Sequence, residues 1–317
     1  MKIAFFTESR YYGKVPEGTT SMRTDLAWVY LLNADHIYMY DFSKSMHYDL
    51  GIIIIPKNRV DVPIDKIKNS CTKIAIMQEG PANYWTDYTM YDQIQHLTLL
   101  NSADFLLVHN DIDINYFSGL TGKRCYIMPS AMVESLVDSN LTIKQIEDRK
   151  NIIIGGNMCA WYNGMISYVI ASQYAKHFNQ EIWAPSMGRK ISGEERLDGL
   201  KHLPYMDWTA WMQHLNNFSV GVHMMPTAAA GTFSLNCAYL GIPCIGNMDI
   251  DTQRICHPDL SFKCSDIIGA LEAIDKLKDP DFRKECREYA INSYYEEYHS
   301  RLFAGRMNNI FESELNK

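Results

Sequence analysis

Short runs of aliphatic residues alternate with longer helical stretches along the chain, and this alternation is the strongest constraint on the fold. The first half contains six candidate strands, Lys2–Thr7, His36–Tyr40, Leu50–Pro56, Lys73–Gln78, Phe105–His109 and Arg124–Met128. Between them lie helical stretches near Thr24–Asn33, Ile64–Ser70, Thr89–Asn101 and Ile114–Leu120. Apolar strands that alternate with helices are typical of a parallel sheet covered on both faces.

The pattern starts again after the polar run Ser139–Lys150. The second set of candidate strands is Asn151–Gly155, Glu181–Ala184, Leu200–Leu203, Phe218–Val222 and Cys244–Gly246, with helical stretches at Met165–Phe178, Trp208–Asn216, Ser265–Lys278 and Asp281–Tyr295. We therefore predict two doubly wound α/β domains that face each other across a cleft. Ligands of such folds bind at the carboxyl ends of the strands.

Composition and charge narrow the class of protein further. Hydrophobic residues make up 47% of the chain, enough for a substantial core, and the net charge of -7 argues against a protein coated in nucleic acid. A local basic groove remains compatible with that charge. The eight cysteines are scattered without a C-x-x-C pair, which indicates reduced thiols in the cytoplasm. The opening MKIAFFTESR predicts a first strand, and the run Ile52–Ile55 is too short to cross a bilayer.

One segment, PTAAAGTFSLNCAYLGIPCIG at 226–246, has the character of a ligand-binding turn. A buried strand at 219–225 precedes it, Thr232 or Ser234 is the predicted cap of a helix that ends near Tyr239, and Pro243 stops that helix. A small, glycine-containing loop before a helix lets the backbone approach a ligand and directs N–H groups at an anion. A tight packing turn between a helix and a strand is the alternative.

This segment resembles the donor domain of the nucleotide-sugar glycosyltransferases with the GT-B fold, and most closely the retaining group with an E-x7-E motif. Gly231-Thr232-Phe233 matches the family's turn, and Asn236 to Pro243 matches its A-x-x-x-G-x-P helix. The stretch IIIGGNMCAWYNG resembles the first donor-domain strand and its glycine turn. The resemblance implies an acceptor-side domain at 1–145, a donor-binding domain at 146–292, and a C-terminal helix at 293–317 that returns to the first domain.

The resemblance also implies an activity and a set of donor contacts. It implies transfer of a hexose or pentose from a nucleoside-diphosphate sugar, with UDP as the expected nucleotide, with retention and without an essential metal or other cofactor. The implied donor-binding residues are Asn157, Tyr162, Arg189, Lys190, Tyr205, Met206, Pro226, Gly231, Thr232, Phe233 and Asn236.

The sequence departs from the family pattern at both motif glutamates. The first falls on Ala228 and the second on Asn236, whose amide can still bind ribose hydroxyls. No basic residue lies in 155–164, so phosphate charge would be met by Arg189 or Lys190, by basic residues of the first domain, or by backbone N–H groups alone. The candidate catalytic residues are Glu79 and His109, which follow two parallel strands. A helix cap and a buried histidine are their alternative roles.

Basic residues interleaved with aromatic ones follow the first and third strands, a composition that suits a polyanion. The predicted acceptor-binding residues are Arg10, Tyr11, Tyr12, Lys14, Arg23, Lys57, Arg59 and Trp85. The size of the chain and its stretch TSMRTDLAWVYLLNADH are similar to phage glycosyltransferases that modify hydroxymethylated DNA bases. The favoured acceptor is therefore such a base in duplex DNA, in a host cytoplasm, with no membrane partner. A cell-envelope glycan acceptor, a sugar-nucleotide epimerase and a non-catalytic nucleotide binder are the alternatives.

Overall fold

The computed structural model describes residues 1–9, 12–16, 18–42, 46–55, 60–78, 80, 85–185 and 191–317. The chain forms two units. The first consists of residues 1–133 together with 300–317, and the second of residues 134–299. Residues 134–149 belong to the second unit through contacts such as those of Asn216, whose amide nitrogen donates to the Thr142 carbonyl at 2.8 Å and whose amide oxygen accepts from Lys144 N at 3.1 Å.

In the described residues, thirteen strands form the two sheets. In chain order they are β1 Ile3–Thr7, β2 Tyr12–Gly13, β3 Asp35–Tyr38, β4 Tyr48–Ile54, β5 Cys71–Gln78, β6 Phe105–Val108, β7 Cys125–Ile127, β8 Ile152–Ile154, β9 Ile182–Pro185, β10 Leu200–Leu203, β11 Val220–His223, β12 Cys244–Asn247 and β13 Ser261–Phe262. Every pairing is parallel except that of β2 with β3.

The α-helices cover both faces of each sheet. They are α1 Thr24–Leu31, α2 Ile64–Lys68, α3 Met90–Ser102, α4 Asp111–Thr121, α5 Gly164–Phe178, α6 Trp208–Leu215, α7 Thr232–Leu240, α8 Asp251–Cys256, α9 Ile267–Lys276, α10 Pro280–Ser293 and α11 Ser300–Leu315. A π-helical turn, Tyr294–Tyr298, lies between α10 and α11.

The first unit has a seven-stranded sheet in the order β2-β3-β1-β4-β5-β6-β7, with a core on each face. On one face α1 and α11 pack over Phe5 and Phe105, so that Trp28 and Phe311 are fully buried. On the other face the core holds Ile53, Ile76 and Leu106 among others, beneath α2 to α4. The last helix is thus part of the first unit's core although it is last in the sequence.

The second unit has a six-stranded sheet in the order β10-β9-β8-β11-β12-β13. Numbered from β8, this is the order 3-2-1-4-5-6 of nucleotide-binding Rossmann domains. The chain reverses the direction of winding between β8 and β11, and the crevice beyond the carboxyl ends of these two strands is where ligands bind in such sheets.

The predicted α/β architecture of two doubly wound sheets is confirmed, as is the return of the last helix to the first unit. Strands β2 and β13, which have only two residues each, and the short helix α8 were not predicted from the sequence. The helical stretch predicted at Asp281–Tyr295 corresponds to α10, and its last two residues belong to the π-helical turn.

Candidate functional site

The carboxyl ends of β8 and β11 meet in a tightly packed corner that requires glycine. A Cβ atom on Gly155 would lie 2.5 Å from Cγ of His223 and 2.6 Å from Cδ1 of Phe233. A Cβ atom on Gly156 would lie 2.4 Å from Cγ of Tyr162. The ring of His223 packs edge-on against Phe233, with centroids 5.4 Å apart. Gly155 therefore lets the first turn of the unit approach the rings of His223 on β11 and Phe233 on α7, and Gly156 leaves room for the ring of Tyr162.

The segment that follows β11 is held by three side chains, two from the start of α5 and one from β12. Asn163 donates through Nδ2 to the Met224 carbonyl at 3.1 Å, and Asn247 donates to the Met225 carbonyl at 3.0 Å. The hydroxyl of Ser167 accepts from Met224 N at 3.0 Å. These bonds satisfy backbone groups that regular secondary structure leaves open, and they fix the direction in which the chain enters α7.

Helix α7 begins at Thr232, and Gly231 is its cap residue in the left-handed conformation, at φ +71°. The prediction that Thr232 or Ser234 is the cap is therefore wrong. Ser234 instead donates to the Gly231 carbonyl at 3.0 Å, and Thr252 donates to the same carbonyl at 2.9 Å. A Cβ atom on Gly231 would lie 2.0 Å from Thr252 Oγ1, so this grip on the peptide also requires glycine.

The other end of α7 is capped by a buried arginine. Arg149, which is 3% exposed, donates to the Gly241 carbonyl at 3.0 Å and to the Leu240 carbonyl at 2.5 Å. Burial lowers the pKa of this guanidinium to about 10, so it stays charged at neutral pH. A cation at a helix C-terminus complements the negative end of the macrodipole. The helix is thus fixed at both ends, with its positive end at the crevice beside β8 and β11.

Three polar atoms in this corner are buried without a hydrogen-bond partner among the described residues. They are Asn236 Oδ1, His223 Nε2 and Thr227 Oγ1. Leaving a buried polar atom unpaired costs about 1–3 kcal/mol, so such atoms call for an explanation. Burial lowers the pKa of His223 to about 4, so its imidazole is neutral near pH 7 and suited to hydrogen bonding with an uncharged group.

The remaining predicted donor residues occupy different environments. Asn157 is 3% exposed, and its amide oxygen accepts from Cys159 N at 3.1 Å within the first turn. Tyr205 is 76% exposed in the loop after β10, with Met206 beside it half-buried. Pro226 is exposed. Arg189 and Lys190 lie outside the described residues.

Charge is distributed unevenly around this crevice. The segments 155–164 and 224–236 contain neither lysine nor arginine. Asp249, in the loop after β12, and Asp251, the first residue of α8, form a D-x-D sequence, and Asp251 pairs with Arg254 at 2.8 Å. Among the residues that the structure describes, no three His, Cys, Asp or Glu side chains are grouped as metal ligands. Independence from metal stays a prediction.

Of the two predicted catalytic residues, both in the first unit, the structure describes only one. Glu79 lies outside the described residues. His109 is 2% exposed and packs on Trp28, with ring centroids 5.4 Å apart. Burial lowers its pKa to about 3, so the ring is neutral at physiological pH. Among the described residues neither ring nitrogen of His109 has a hydrogen-bond partner.

The predicted acceptor residues are only partly described. Arg10, Tyr11, Lys57, Arg59 and the side chain of Tyr12 lie outside the described part of the chain. Trp85 is 8% exposed, and one ring face is covered by His96 at a centroid distance of 5.0 Å. Lys14 pairs with Asp35, at the amino end of β3, at 3.1 Å. Arg23 instead lies beyond the carboxyl end of β1, beside Ser9. The structure therefore does not bring Lys14 and Arg23 together.

No helix in the described part of the chain is long and apolar enough to span a membrane. No protein-family model matches the sequence, and no curated protein matches it either.

Solved structures, however, match the fold at low sequence identity. An α-glucosyltransferase in complex with UDP and a 13-mer DNA containing an HMU base matches with a TM-score of 0.65 at 13% identity, over 98% of this chain and 99% of that one. TarM from S. aureus, in a complex with UDP, matches with a TM-score of 0.62 at 12% identity over 82% of this chain. The pneumococcal O-GlcNAc transferase GtfA, in complex with UDP and GlcNAc, matches with a TM-score of 0.62 at 12% identity over 86% of this chain.

Coverage of the matched proteins differs among them. The chain spans 55% of the length of TarM and 58% of that of GtfA, but nearly all of the DNA-bound α-glucosyltransferase. Identities this low establish architecture and leave substrates open. Together with the two doubly wound sheets and the returning last helix, these matches show that the chain has the GT-B fold of nucleotide-sugar glycosyltransferases.

Proposed function

We propose that this protein is a glycosyltransferase that moves a sugar from a UDP-sugar to a hydroxyl acceptor, with retention. The observation that carries the proposal is the position of α7, whose N-terminus starts at the point where the winding of a 3-2-1-4-5-6 sheet reverses. That position is where Rossmann sheets bind nucleotides, and a helix N-terminus there favours a phosphate.

The proposed chemistry depends on stabilising the leaving group. When the bond between sugar and phosphate breaks, negative charge builds on the nucleoside diphosphate. Segments 155–164 and 224–236 contain no basic side chain. We therefore assign the stabilisation of this negative charge to the backbone at the start of α7 and to Thr232. Arg149 supports it indirectly, since it caps the far end of the same helix and holds the dipole in place.

Two side chains are assigned to the neutral parts of the donor. The unpartnered Oδ1 of Asn236 accepts from a ribose hydroxyl, the role that a glutamate has in the family that the sequence resembles. The unpartnered Nε2 of His223 bonds a sugar hydroxyl, for which a neutral imidazole is suited. The exposed ring of Tyr205 stacks on the nucleobase.

The favoured acceptor is a hydroxymethylated base in duplex DNA. Support comes from the match to a protein solved with UDP and modified DNA, which extends over nearly the whole length of both chains. A second match to such an α-glucosyltransferase, solved with UDP-glucose and DNA containing an abasic site, covers 98% of this chain. The exposed guanidinium of Arg23 supports a polyanionic acceptor as well.

The test is a donor panel. The protein is incubated with nucleoside-diphosphate sugars, with and without hydroxymethylated duplex DNA, and released nucleoside diphosphate is measured. We expect release from a UDP-sugar that modified DNA accelerates. Asn236→Ala is expected to weaken UDP binding at least tenfold, whereas Asn309→Ala, an exposed asparagine on α11, leaves it unchanged. Failure of UDP to bind the parent protein would refute the proposal.

A further inference from the structure

A charged network lies beyond the carboxyl end of β1, in the first unit. The guanidinium of Arg23 donates from Nε to Asp25 Oδ1 at 3.2 Å and from Nη2 to Asp25 Oδ2 at 2.7 Å. Nη2 also donates to the hydroxyl of Ser9 at 2.5 Å. Two parallel bonds to one carboxylate fix both the position and the plane of the guanidinium.

The carboxylate of Asp25 is held in turn from inside the fold. Nε2 of His36, on β3, lies 3.3 Å from Asp25 Oδ2 and 3.1 Å from Thr7 Oγ1, and His36 is only 1% exposed. Burial alone would raise the pKa of Asp25, but the hydrogen bond from His36 and the charge of Arg23 outweigh it and lower that pKa. Asp25 is therefore an ionised group between a buried histidine and an arginine.

Exposure shows which member of the network faces solvent. The side chain of Arg23 is 55% exposed, whereas that of Asp25 is 13% exposed. An arginine side chain in solution loses rotamer entropy when a ligand orders it. Here folding has already ordered the guanidinium, so a ligand that binds it loses less of its binding energy.

We propose that Arg23 binds a phosphate of the acceptor's nucleic-acid backbone, and that Asp25, braced by His36, is the positioning residue that presets its guanidinium. The acceptor class rests on the proposed function. An exposed arginine can donate to a phosphate oxygen while it stays paired with a carboxylate, and phosphate contacts are what orient a protein on a duplex before any base is reached. The carboxyl end of β1 is also the edge of the sheet where ligands of doubly wound folds bind.

The chain offers a matched control in the same unit. Lys14 is 57% exposed and pairs with Asp35 at 3.1 Å, so it has the same exposure and the same kind of partner as Arg23. It also donates to the Asn33 carbonyl, which places it at the amino end of β3. A general attraction between cations and DNA would involve both residues alike, whereas a site at the carboxyl end of β1 involves Arg23 alone.

The first measurement is affinity for hydroxymethylated duplex DNA from low to moderate salt. Each phosphate contact contributes about 0.9 to the slope of log affinity against log salt. We expect Arg23→Ala to reduce the slope by about one and to weaken binding about tenfold at low salt, and Arg23→Lys not to restore it. Lys14→Ala is expected to change neither quantity. An unchanged slope in Arg23→Ala, or no DNA binding by the parent protein, overturns the proposal.

The second measurement separates positioning from simple charge. Asp25→Asn removes a negative charge beside a polyanion site, so electrostatics alone predicts tighter DNA binding. Loss of the grip on Arg23 predicts the opposite, and we expect binding several-fold weaker. Asp35→Asn is the control and is expected to bind as tightly as the parent or slightly more tightly. DNA affinity of Asp25→Asn equal to or above that of the parent overturns the positioning role.

Donor binding keeps this test apart from that of the proposed function. UDP affinity is measured on each folded variant and is expected to equal that of the parent, because the assigned donor residues all lie in the second unit. If UDP does not bind the parent but the Arg23 and Asp25 variants change DNA binding as expected, the donor assignment fails and the phosphate site stands. If UDP binds and is released from a sugar donor while those variants bind DNA as the parent does, the donor assignment stands and the phosphate site fails.

Discussion

The two sheets end in different chemistry at the edge where ligands bind. In the second unit the edge is built from glycines and backbone, and the polar side chains there bond mainly to the chain itself, as Asn163 and Thr252 do. In the first unit the described part of that edge presents a charged network, with Arg23 outermost. A backbone site suits a small ligand held in one pose, and ordered charge suits a long polyanion. The comparison indicates that the proposed donor site and the proposed acceptor site depend on different kinds of residue.

The largest expected effect comes from a core substitution in the first unit. It tests whether ligand binding at the edge of the second sheet is independent of the stability of the first unit. Phe311 of α11 is fully buried in the first unit, and Phe311→Ala is expected to lower that unit's free energy of unfolding by about 3–5 kcal/mol. UDP affinity is expected to stay close to that of the parent protein. Urea titration followed by hydrogen exchange in each unit measures the first quantity, and calorimetry measures the second. A UDP affinity that falls in proportion to the stability of the first unit would mean that the two sites are not separable.

The pH dependence of stability is expected to be shared by both units. Burial lowers the pKa of His109 to about 3 and of His96 to about 4, and it lowers the pKa of His223 and of His257 to about 4. Unfolded histidines bind a proton below about pH 6.5, whereas these folded ones stay neutral. The contribution of these histidines to the free energy of unfolding is therefore fully present above pH 6.5. It falls as the pH decreases toward 4, by about 1.4 kcal/mol per pH unit for each histidine.

Urea unfolding at pH 7.5, 6.0 and 5.0 measures this dependence. His109→Phe keeps an aromatic ring beside Trp28 and is expected to flatten the pH dependence of the first unit alone. The parent protein provides the comparison. Equal slopes in the two proteins would contradict the assignment.

A smaller effect is expected from adding one carbon to the backbone site. In Gly231→Ala the new Cβ meets Thr252 Oγ1 at 2.0 Å, whereas in Gly199→Ala it meets nothing within 4 Å, although both glycines have a φ near +70°. The control variant therefore reports backbone strain alone, about 1–2 kcal/mol. Gly231→Ala is expected to cost more in unfolding free energy and to weaken UDP binding, which Gly199→Ala leaves unchanged. Identical behaviour of the two variants would show that the grip of Thr252 has no part in binding.

The smallest expected effect concerns Tyr205, which is 76% exposed. Tyr205→Ala removes a stacking surface worth about 1 kcal/mol, so UDP affinity is expected to fall roughly fivefold with no change in thermal stability. Tyr289→Ala removes another exposed ring, on α10, and is the control. A fall in affinity for both variants would point to a nonspecific effect.

Periodicity predicted most of this architecture because buried parallel strands must be apolar. It correctly predicted the strands at the centre of each sheet. The predicted strand Leu50–Pro56 overlaps β4, and the predicted strand Asn151–Gly155 contains β8. Two-residue strands such as β2 and β13 are too short to show a period. The turn within 226–246 could be predicted because glycine and small residues between a strand and a helix are typical of a tight turn.

Other features of the candidate site were not accessible from local sequence. Arg149 lies in a polar run far from α7, and only the folded chain brings it to the carbonyls of Leu240 and Gly241. The capping prediction failed because a serine near a helix start normally accepts a backbone N–H, whereas Ser234 donates to Gly231. Basic residues near strand ends suggested one cluster, but the direction of β2 carries Lys14 back toward the amino end of β3.

The discontinuity of the first unit has a consequence for biosynthesis. Its core requires Phe303, Met307 and Phe311 from α11, which the ribosome makes after the whole second unit. Domains usually fold in the order in which they are made. Here the second unit is synthesised completely before α11 is made. Until then, residues 1–133 have part of an apolar sheet face uncovered. Chaperones that bind nascent chains are therefore expected to act chiefly on the amino-terminal segment.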